Sequence, residues 1–305
     1  MSAPRLIMVR PTCFGSNPET LNDNVFQKGT ISDSNTSKEA QKEFDAMVSL
    51  LRSNEIEVLV FDDPVTPKTP DSVFPNNWFS THQNGKVFLY PMMSRIRREE
   101  RRSEFIEYLK NEFEISGVID LSQYEQDRYF LEGTGSMVLD HQSKIAYMCK
   151  SERSSKKVLS RFCKQSGYRS FVFHSIIDGK PVYHTNVIMG IGSEFVIACV
   201  ESMREKELFR NLVNDSNKEL IEITISQVRS FLGNCLEVLS RNGKKYLIVS
   251  HQAFLSLTEK QKNRLINFAK LLPVSIPTIE KYGGGSVRCM LAENYLSKKD
   301  QQIHA

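Results

Sequence analysis

Residues 37–54, SKEAQKEFDAMVSLLRSN, run across Glu55 and Ile56 directly into Glu57-Val58-Leu59-Val60-Phe61. The first part carries apolar residues at helical spacing among good helix formers, and the second is a short apolar run of strand character. A helix delivered into a strand is the building unit of an α/β chain, and the same unit returns along the sequence. Strand-like runs stand at 6–9, 87–90, 145–149, 171–173, 195–200, 220–224 and 246–249, and helical segments at about 96–113, 154–166, 203–213 and 257–271. Alternation from end to end argues for an α/β fold over separate all-α and all-β halves. The pattern recurs about once in sixty residues, which hints at internal structural repetition. No Pro/Gly/Ser-rich linker divides the chain, so residues 1–305 are expected to form one domain.

Composition narrows the function. The chain is 40% hydrophobic and 25% charged, an ordinary globular balance. A formal charge of +4 over 305 residues is too small to argue for nucleic acid. The basic run from Arg95 to Arg102 is interleaved with Glu99 and Glu100 and reads as a solvated helix face. No apolar run is long enough for a signal peptide core or a membrane span. Cys13, Cys149, Cys163, Cys199, Cys235 and Cys289 are scattered, without CxxC or metal-like spacing, and read as reduced thiols of a cytoplasmic protein. The polar stretch 16–37 and the proline-rich stretch 62–75 are long loops, the expected lids of a binding site.

One cysteine has a chemical context. Gly283-Gly284-Gly285-Ser286-Val287-Arg288-Cys289-Met290 sets a thiol just past a run of glycines, with Arg288 beside it. Glycines allow close backbone approach, and a neighbouring cation suits an accessible, partly ionised nucleophile. Such a thiol needs a base. His82 and His141 fall in polar loops, His304 in the tail, and His174 and His251 at strand ends. His184 opens the strand-like 183–190 and could face a cleft. Glu132, within the Gly-punctuated 130–138, is a carboxylate in apolar surroundings that must be paired. Either it meets a structural arginine, or it orients a histidine or a substrate group. Asn76 and Asn77, in Pro70-Asp71-Ser72-Val73-Phe74-Pro75-Asn76-Asn77-Trp78, are turn residues or ligands for a planar group.

These four segments, in this order, resemble the guanidine-modifying superfamily of arginine deiminases, dimethylarginine dimethylaminohydrolases and amidinotransferases. The segment 70–77 is similar to its first substrate motif, 131–133 to its Glu-Gly motif, 184–186 to its histidine motif and 283–290 to its cysteine motif. Val9-Arg10-Pro11 is similar too, so the resemblance spans nearly the whole chain. It implies an α/β-propeller of five modules around a pseudo-fivefold axis, with no metal or organic cofactor. It implies that Cys289 attacks a guanidino or ureido carbon while His184 moves protons and Glu132 contacts the substrate or holds His184. Asp71 is implied for the substrate α-amino group, and Arg153, with Arg95 as a second arginine, for the α-carboxylate.

The departures point to the substrate. Asn77 and Asn186 stand where arginine-acting members carry aspartates. A guanidinium rewards carboxylates, whereas a neutral ureido oxygen needs a donor, which an amide supplies. Losing two charge-assisted bonds would cost a guanidinium on the order of ~3 kcal/mol. The pattern therefore resembles the citrulline-utilisation hydrolases, which convert citrulline to ornithine, ammonia and carbon dioxide. The alternatives are hydrolysis of arginine or a methylated arginine, amidino transfer, or a non-catalytic amino-acid binder. The partner expected is a small-molecule substrate, and self-association stays open.

Overall fold

Two parallel strands need a crossover between them, and a helix supplies it. Ser34–Ser53 does this for Arg5–Arg10 and Glu57–Asp62, which pair in parallel from Arg5↔Glu57 to Arg10↔Asp62. The computed structural model describes residues 2–21, 24, 26–27 and 34–299. His304 and parts of the 16–37 loop lie outside them. The helix buries Ala40, Phe44, Met47, Val48 and Leu51, the stripe expected of helical spacing. That face packs with Leu6, Met8 and Val58 of the strands. Truncating Phe44 to alanine would cost about 3–5 kcal/mol.

Among the described residues the same unit is built five times, beside one two-stranded ribbon of Ile176–Ile177 and Lys180–Pro181. Each of the five sheets has three strands, of which the first two are antiparallel and the last two parallel across a helical connection. The second sheet is Phe79–Thr81, Lys86–Leu89 and Gly117–Asp120. The third is Met137–Asp140, Ile145–Cys149 and Arg169–Phe173. The fourth is Met189–Ile191, Phe195–Ala198 and Glu219–Glu222. The fifth is Leu236–Leu239, Lys245–Ser250 and Lys270–Val274. The first sheet takes its antiparallel strand from Ala292–Asn294, so the two ends of the described chain meet in one sheet. The strand runs read from sequence are in place, and the repeat length matches the five sheets.

Several expectations change. The helix expected over 96–113 divides into Arg95–Arg98 and Ser103–Glu112. The basic run between them is not a solvated face: Arg97 and Glu100 are buried, and Arg98 and Arg101 pair with Glu125. The segment expected as a helix over 257–271 contains Glu259–Leu265, begun by a Thr258–Gln261 capping box, and ends inside the strand Lys270–Val274. The helix expected from Met203 starts at Lys206. His82 and His141 are not in solvated loops but in buried surroundings.

Candidate active site

Each of the five sheets is entered by a tight turn immediately before its first strand, and the polar residues of interest sit on those turns. Pro75–Asn77 leads into Phe79–Thr81, Gly133–Ser136 into Met137–Asp140, and Thr185–Val187 into Met189–Ile191. Residues 231–234 lead into Leu236–Leu239, and 286–290 into Ala292–Asn294. Glu132 and His184 are thus the residues before short helical turns, not members of strands. A side chain on such a turn is fixed by the backbone bonds of the turn and the sheet behind it.

A cavity of about 20 Å³, room for one water, is lined by Asp71, Asn77, Arg97, Arg153, His184 and Cys289, and roofed by Thr20 and Asn24. Of the residues singled out in the sequence, Cys289, His184, Asn77, Asp71 and Arg153 therefore meet at one place. Glu132 is fully buried behind His184, its Oε2 accepting from His184 Nε2 at 2.7 Å. Arg153 Nη1 lies 3.4 Å from the same oxygen, and its guanidinium stands over the Tyr183 ring at 5.1 Å. Arg153 is buried.

Burial raises the Glu132 carboxyl, but the charge of Arg153 and the bond to His184 outweigh it and hold Glu132 well below the usual carboxylate range. Burial pushes His184 down, and Glu132 restores only part of that loss. Glu132 is thus the ionised member and His184 a neutral imidazole. An ionised carboxylate only accepts, so the imidazole proton sits on Nε2, leaving Nδ1 as the basic nitrogen. Nδ1 makes no hydrogen bond among the described residues. A side-chain carbon at Gly135 would come 2.8 Å from Nδ1 and collide with Asn77 Nδ2, so only glycine lets ring and amide meet here.

Asn77 is held in one orientation. Arg97 Nη1 lies 2.6 Å from it, and a guanidinium only donates, so the near atom is the amide oxygen. Asn77 Nδ2 is buried without a partner beside His184. Arg97 in turn is gripped by both oxygens of Glu100 at 2.8 and 2.9 Å and donates to the Phe74 carbonyl at 3.0 Å. Asp71 lies 3.8 Å from Arg97 Nε and accepts from Asn17 Nδ2 at 2.8 Å. Burial raises the Asp71 carboxyl against the pull of Arg97 and Asn17.

The remaining residues divide. Asn186 Nδ2 reaches Cys289 Sγ at 3.4 Å, while its Oδ1 is buried without a partner. Asn76 turns its amide nitrogen to Thr134 Oγ1 at 3.2 Å and does not line the cavity. Arg95 is exposed and outside it, whereas the arginine two residues on, Arg97, lines it. Arg288 does not serve the thiol: its side chain bonds the Leu291 carbonyl at 2.7 Å and Glu293 at 2.9 Å, and Cys289 is only 6% exposed. Sequence reasoning missed Asn234, whose Nδ2 lies 3.2 Å from Cys289 Sγ. The sheet repeat could have found it, because residues 231–234 precede the fifth sheet as the other polar turns precede theirs. Among the described residues no group of three or more His, Cys, Asp or Glu is placed to hold a metal.

A family model for eukaryotic N,N-dimethylarginine dimethylhydrolases matches residues 10–296. No curated protein matches the chain by sequence. Among solved structures, ArgZ, an arginine dihydrolase from the ornithine-ammonia cycle in cyanobacteria, superposes at a TM-score of 0.73 and 16% identity. That match covers 94% of this chain and 40% of ArgZ, so the chain spans well under half of that protein. The isolated N-terminal domain of ArgZ, covalently bound to a reaction intermediate, superposes at 0.72 and 16% identity, covering 94% and 96% of the two chains. A mutant DDAH from Pseudomonas aeruginosa complexed with citrulline superposes at 0.63 and 14% identity, covering 96% and 100%.

Proposed function

Because the chain belongs to the family of eukaryotic N,N-dimethylarginine dimethylhydrolases, hydrolases of non-peptide C–N bonds, we propose that it cleaves the ureido group of citrulline. The observation that carries this reading is the orientation of Asn77. Arg97 claims its oxygen, so a buried, unpartnered N–H donor faces the cavity beside His184. A ureido oxygen accepts from such a donor, and a guanidinium has no acceptor to offer. Leaving the donor unmet on binding would cost about 1–3 kcal/mol.

In the proposed sequence the Cys289 thiol gives its proton to His184 Nδ1 as Sγ attacks the ureido carbon, and His184 delivers that proton from Nδ1 to the departing nitrogen as the C–N bond breaks. A thiocarbamoyl group remains on sulfur. Water then gives a proton to His184 Nδ1 and attacks the same carbon, the C–S bond breaks, and the carbamate released loses carbon dioxide. Citrulline and one water become ornithine, ammonia and carbon dioxide. Glu132 keeps the imidazole proton on Nε2 throughout. Arg97 and Arg153 are proposed for the substrate carboxylate and Asp71 for its amino group, so the sequence expectation for Arg95 passes to Arg97.

The cavity is too small for an amino acid, so some of its lining, Thr20 and Asn24 first, must move on entry. We take residues 1–305 as one catalytic domain. The five repeated sheets support the five-module propeller of the resemblance, and six unpaired cysteines suit a reducing compartment such as the cytoplasm.

A second reading has an observation of its own. The unpartnered Asn186 Oδ1 could accept from a guanidinium, so arginine could enter the same site and be hydrolysed in two rounds, as an arginine dihydrolase would do. The purified protein is incubated separately with citrulline, arginine and dimethylarginine, with Cys289→Ser as control, and ornithine, citrulline and released nitrogen are quantified. Ornithine and ammonia from citrulline, absent in the control, are expected. Turnover of arginine or its methylated form far above that of citrulline would overturn the ureido assignment.

A further inference from the structure

Four of the five entering turns supply groups already given roles: Asn77, Glu132, His184 with Asn186, and Cys289. The fifth, residues 231–234, supplies Asn234, which is 1% exposed. Its turn is pressed onto the histidine turn. A side-chain carbon at Gly233 would come 2.5 Å from the Val187 carbonyl oxygen and 2.7 Å from the Ile188 carbonyl carbon, so glycine is what permits the approach.

The amide of Asn234 is oriented from both ends. The Arg288 backbone N–H, which only donates, lies 3.0 Å from Oδ1. The Asn186 carbonyl, which only accepts, lies 3.0 Å from Nδ2. The nearer group to Cys289 Sγ, at 3.2 Å, is therefore an N–H, with Oδ1 at 3.7 Å as an acceptor for the protonated thiol. One side chain thus ties the backbone before the cysteine to the backbone after the histidine and points its donor at the sulfur between them.

We propose that Asn234 is the positioning residue of the nucleophile, holding Sγ in the site and donating to it whenever it carries negative charge. Those moments are before the sulfur lone pair forms the S–C bond, and again when that bond breaks and the electron pair returns to sulfur. In the covalent adduct the sulfur is neutral and the bond weakens, so the donor favours attack-ready sulfur and sulfur as leaving group. The inference rests on Cys289 being the nucleophile.

Asn234→Ala and Asn234→Asp are compared with wild type and Cys289→Ser. Read out are citrulline kcat and KM, the Cys289 adduct trapped by acid quench, and the rate at which iodoacetamide alkylates Cys289 at one pH. Losing a hydrogen bond to a charged sulfur should lower kcat and the alkylation rate about 10- to 100-fold. KM should stay within about threefold and a larger share of enzyme should carry the adduct. Aspartate keeps the acceptor for the Arg288 N–H but turns an anion toward the sulfur, so it should be no better than alanine.

A merely structural tie predicts the reverse order, with Asn234→Asp recovering activity in step with thermal stability. That result, or wild-type alkylation in Asn234→Ala, would overturn the proposal. If Asn234→Ala does not fold, Asn234→Ser carries the same comparison. An active Cys289→Ser would overturn this inference together with the reaction assigned above. An inactive Cys289→Ser beside a fully active Asn234→Ala would overturn this inference alone.

Discussion

Two histidine–glutamate pairs, one buried and one largely so, flank the turn that carries Cys289, and they are built to different ends. In the first, His184 Nε2 touches Glu132 Oε2 at 2.7 Å, its Nδ1 is free, and unpartnered amide atoms lie around it. In the second, His141 Nε2 stands 4.0 Å from Glu293 Oε1, and its Nδ1 is already bonded to the Tyr168 hydroxyl at 2.7 Å. Glu293 is spent on Arg288 at 2.9 Å and on the Tyr295 hydroxyl at 2.7 Å. The His141 ring packs on Tyr295 with centroids 4.4 Å apart. Both pairs satisfy the rule that buried charge must be compensated. Only the first leaves a donor, an acceptor and a base unspent beside the proposed nucleophile, and that surplus separates a candidate site from a structural network.

The sharpest way to break this comparison is to remove the two imidazoles in turn. His184→Asn should lower citrulline turnover by about 10²–10⁴-fold, the ordinary range for a general acid–base. His141→Asn should leave kcat within about threefold and lower thermal stability instead. Equal losses of turnover would mean that the two pairs do not differ in kind.

The carboxylates give the next largest effect. Glu132→Gln removes one carboxylate of a buried ion pair and the acceptor that orients His184, and should destabilise the fold by about 3–5 kcal/mol, besides stopping turnover. Glu293→Gln strands Arg288 and should also destabilise, while folded protein at low temperature keeps its activity. Urea titration beside an activity measurement separates the two, and a Glu132→Gln protein as stable as wild type would contradict the ion-pair argument.

Asn77→Asp tests what surrounds the first pair. It replaces the free donor with a carboxylate that Arg97 can still hold, and should move the preference from citrulline toward arginine by about 10- to 100-fold in relative kcat/KM. Unchanged preference would show that the amide does not read the ureido oxygen.

The smallest effect is a pH dependence belonging to the second region. Burial lowers His82 to about 3 and His141 to about 4, so both stay neutral in the folded chain while their unfolded counterparts protonate near 6.5. The unfolded state therefore takes up protons that the fold does not, and stability falls as pH drops below 6.5. Between pH 7.5 and 6 the two together should remove about 1.5 kcal/mol. Urea midpoints at the two pH values check this, and a His82→Gln/His141→Gln double variant should flatten the difference.

Much of the site was legible because chemistry marks it locally. Cys289 past its glycines, His184, Glu132 and Asn77 each stand in segments whose residue types are odd for plain structure. The resemblance then ordered them. Arg97 was not legible, since a basic run with interleaved acids has the same letters whether it faces water or grips Asn77 and the Phe74 carbonyl. Arg95 was chosen by register along the chain, and the short turn Arg95–Arg98 puts the third dimension two residues further on. Asn234 gave no signal by composition, because glycine and asparagine are ordinary turn residues. Arg288 misled for the opposite reason: adjacency in sequence suggested a cation beside the thiol, yet neighbouring residues on a turn point apart.

By itself the sequence determined the α/β alternation and its repetition, and it marked Cys289, His184 and Glu132 as candidates, because periodicity and residue type are local properties. Only the tertiary structure decided which end of each amide faces the sulfur or the cavity, which arginine enters, and which of two histidine–glutamate pairs is left with unspent groups. Those outcomes depend on donors and acceptors brought together from turns far apart in the chain, such as Arg97 against Asn77 and Arg288 against Asn234. No stretch of sequence carries both halves of such a pair.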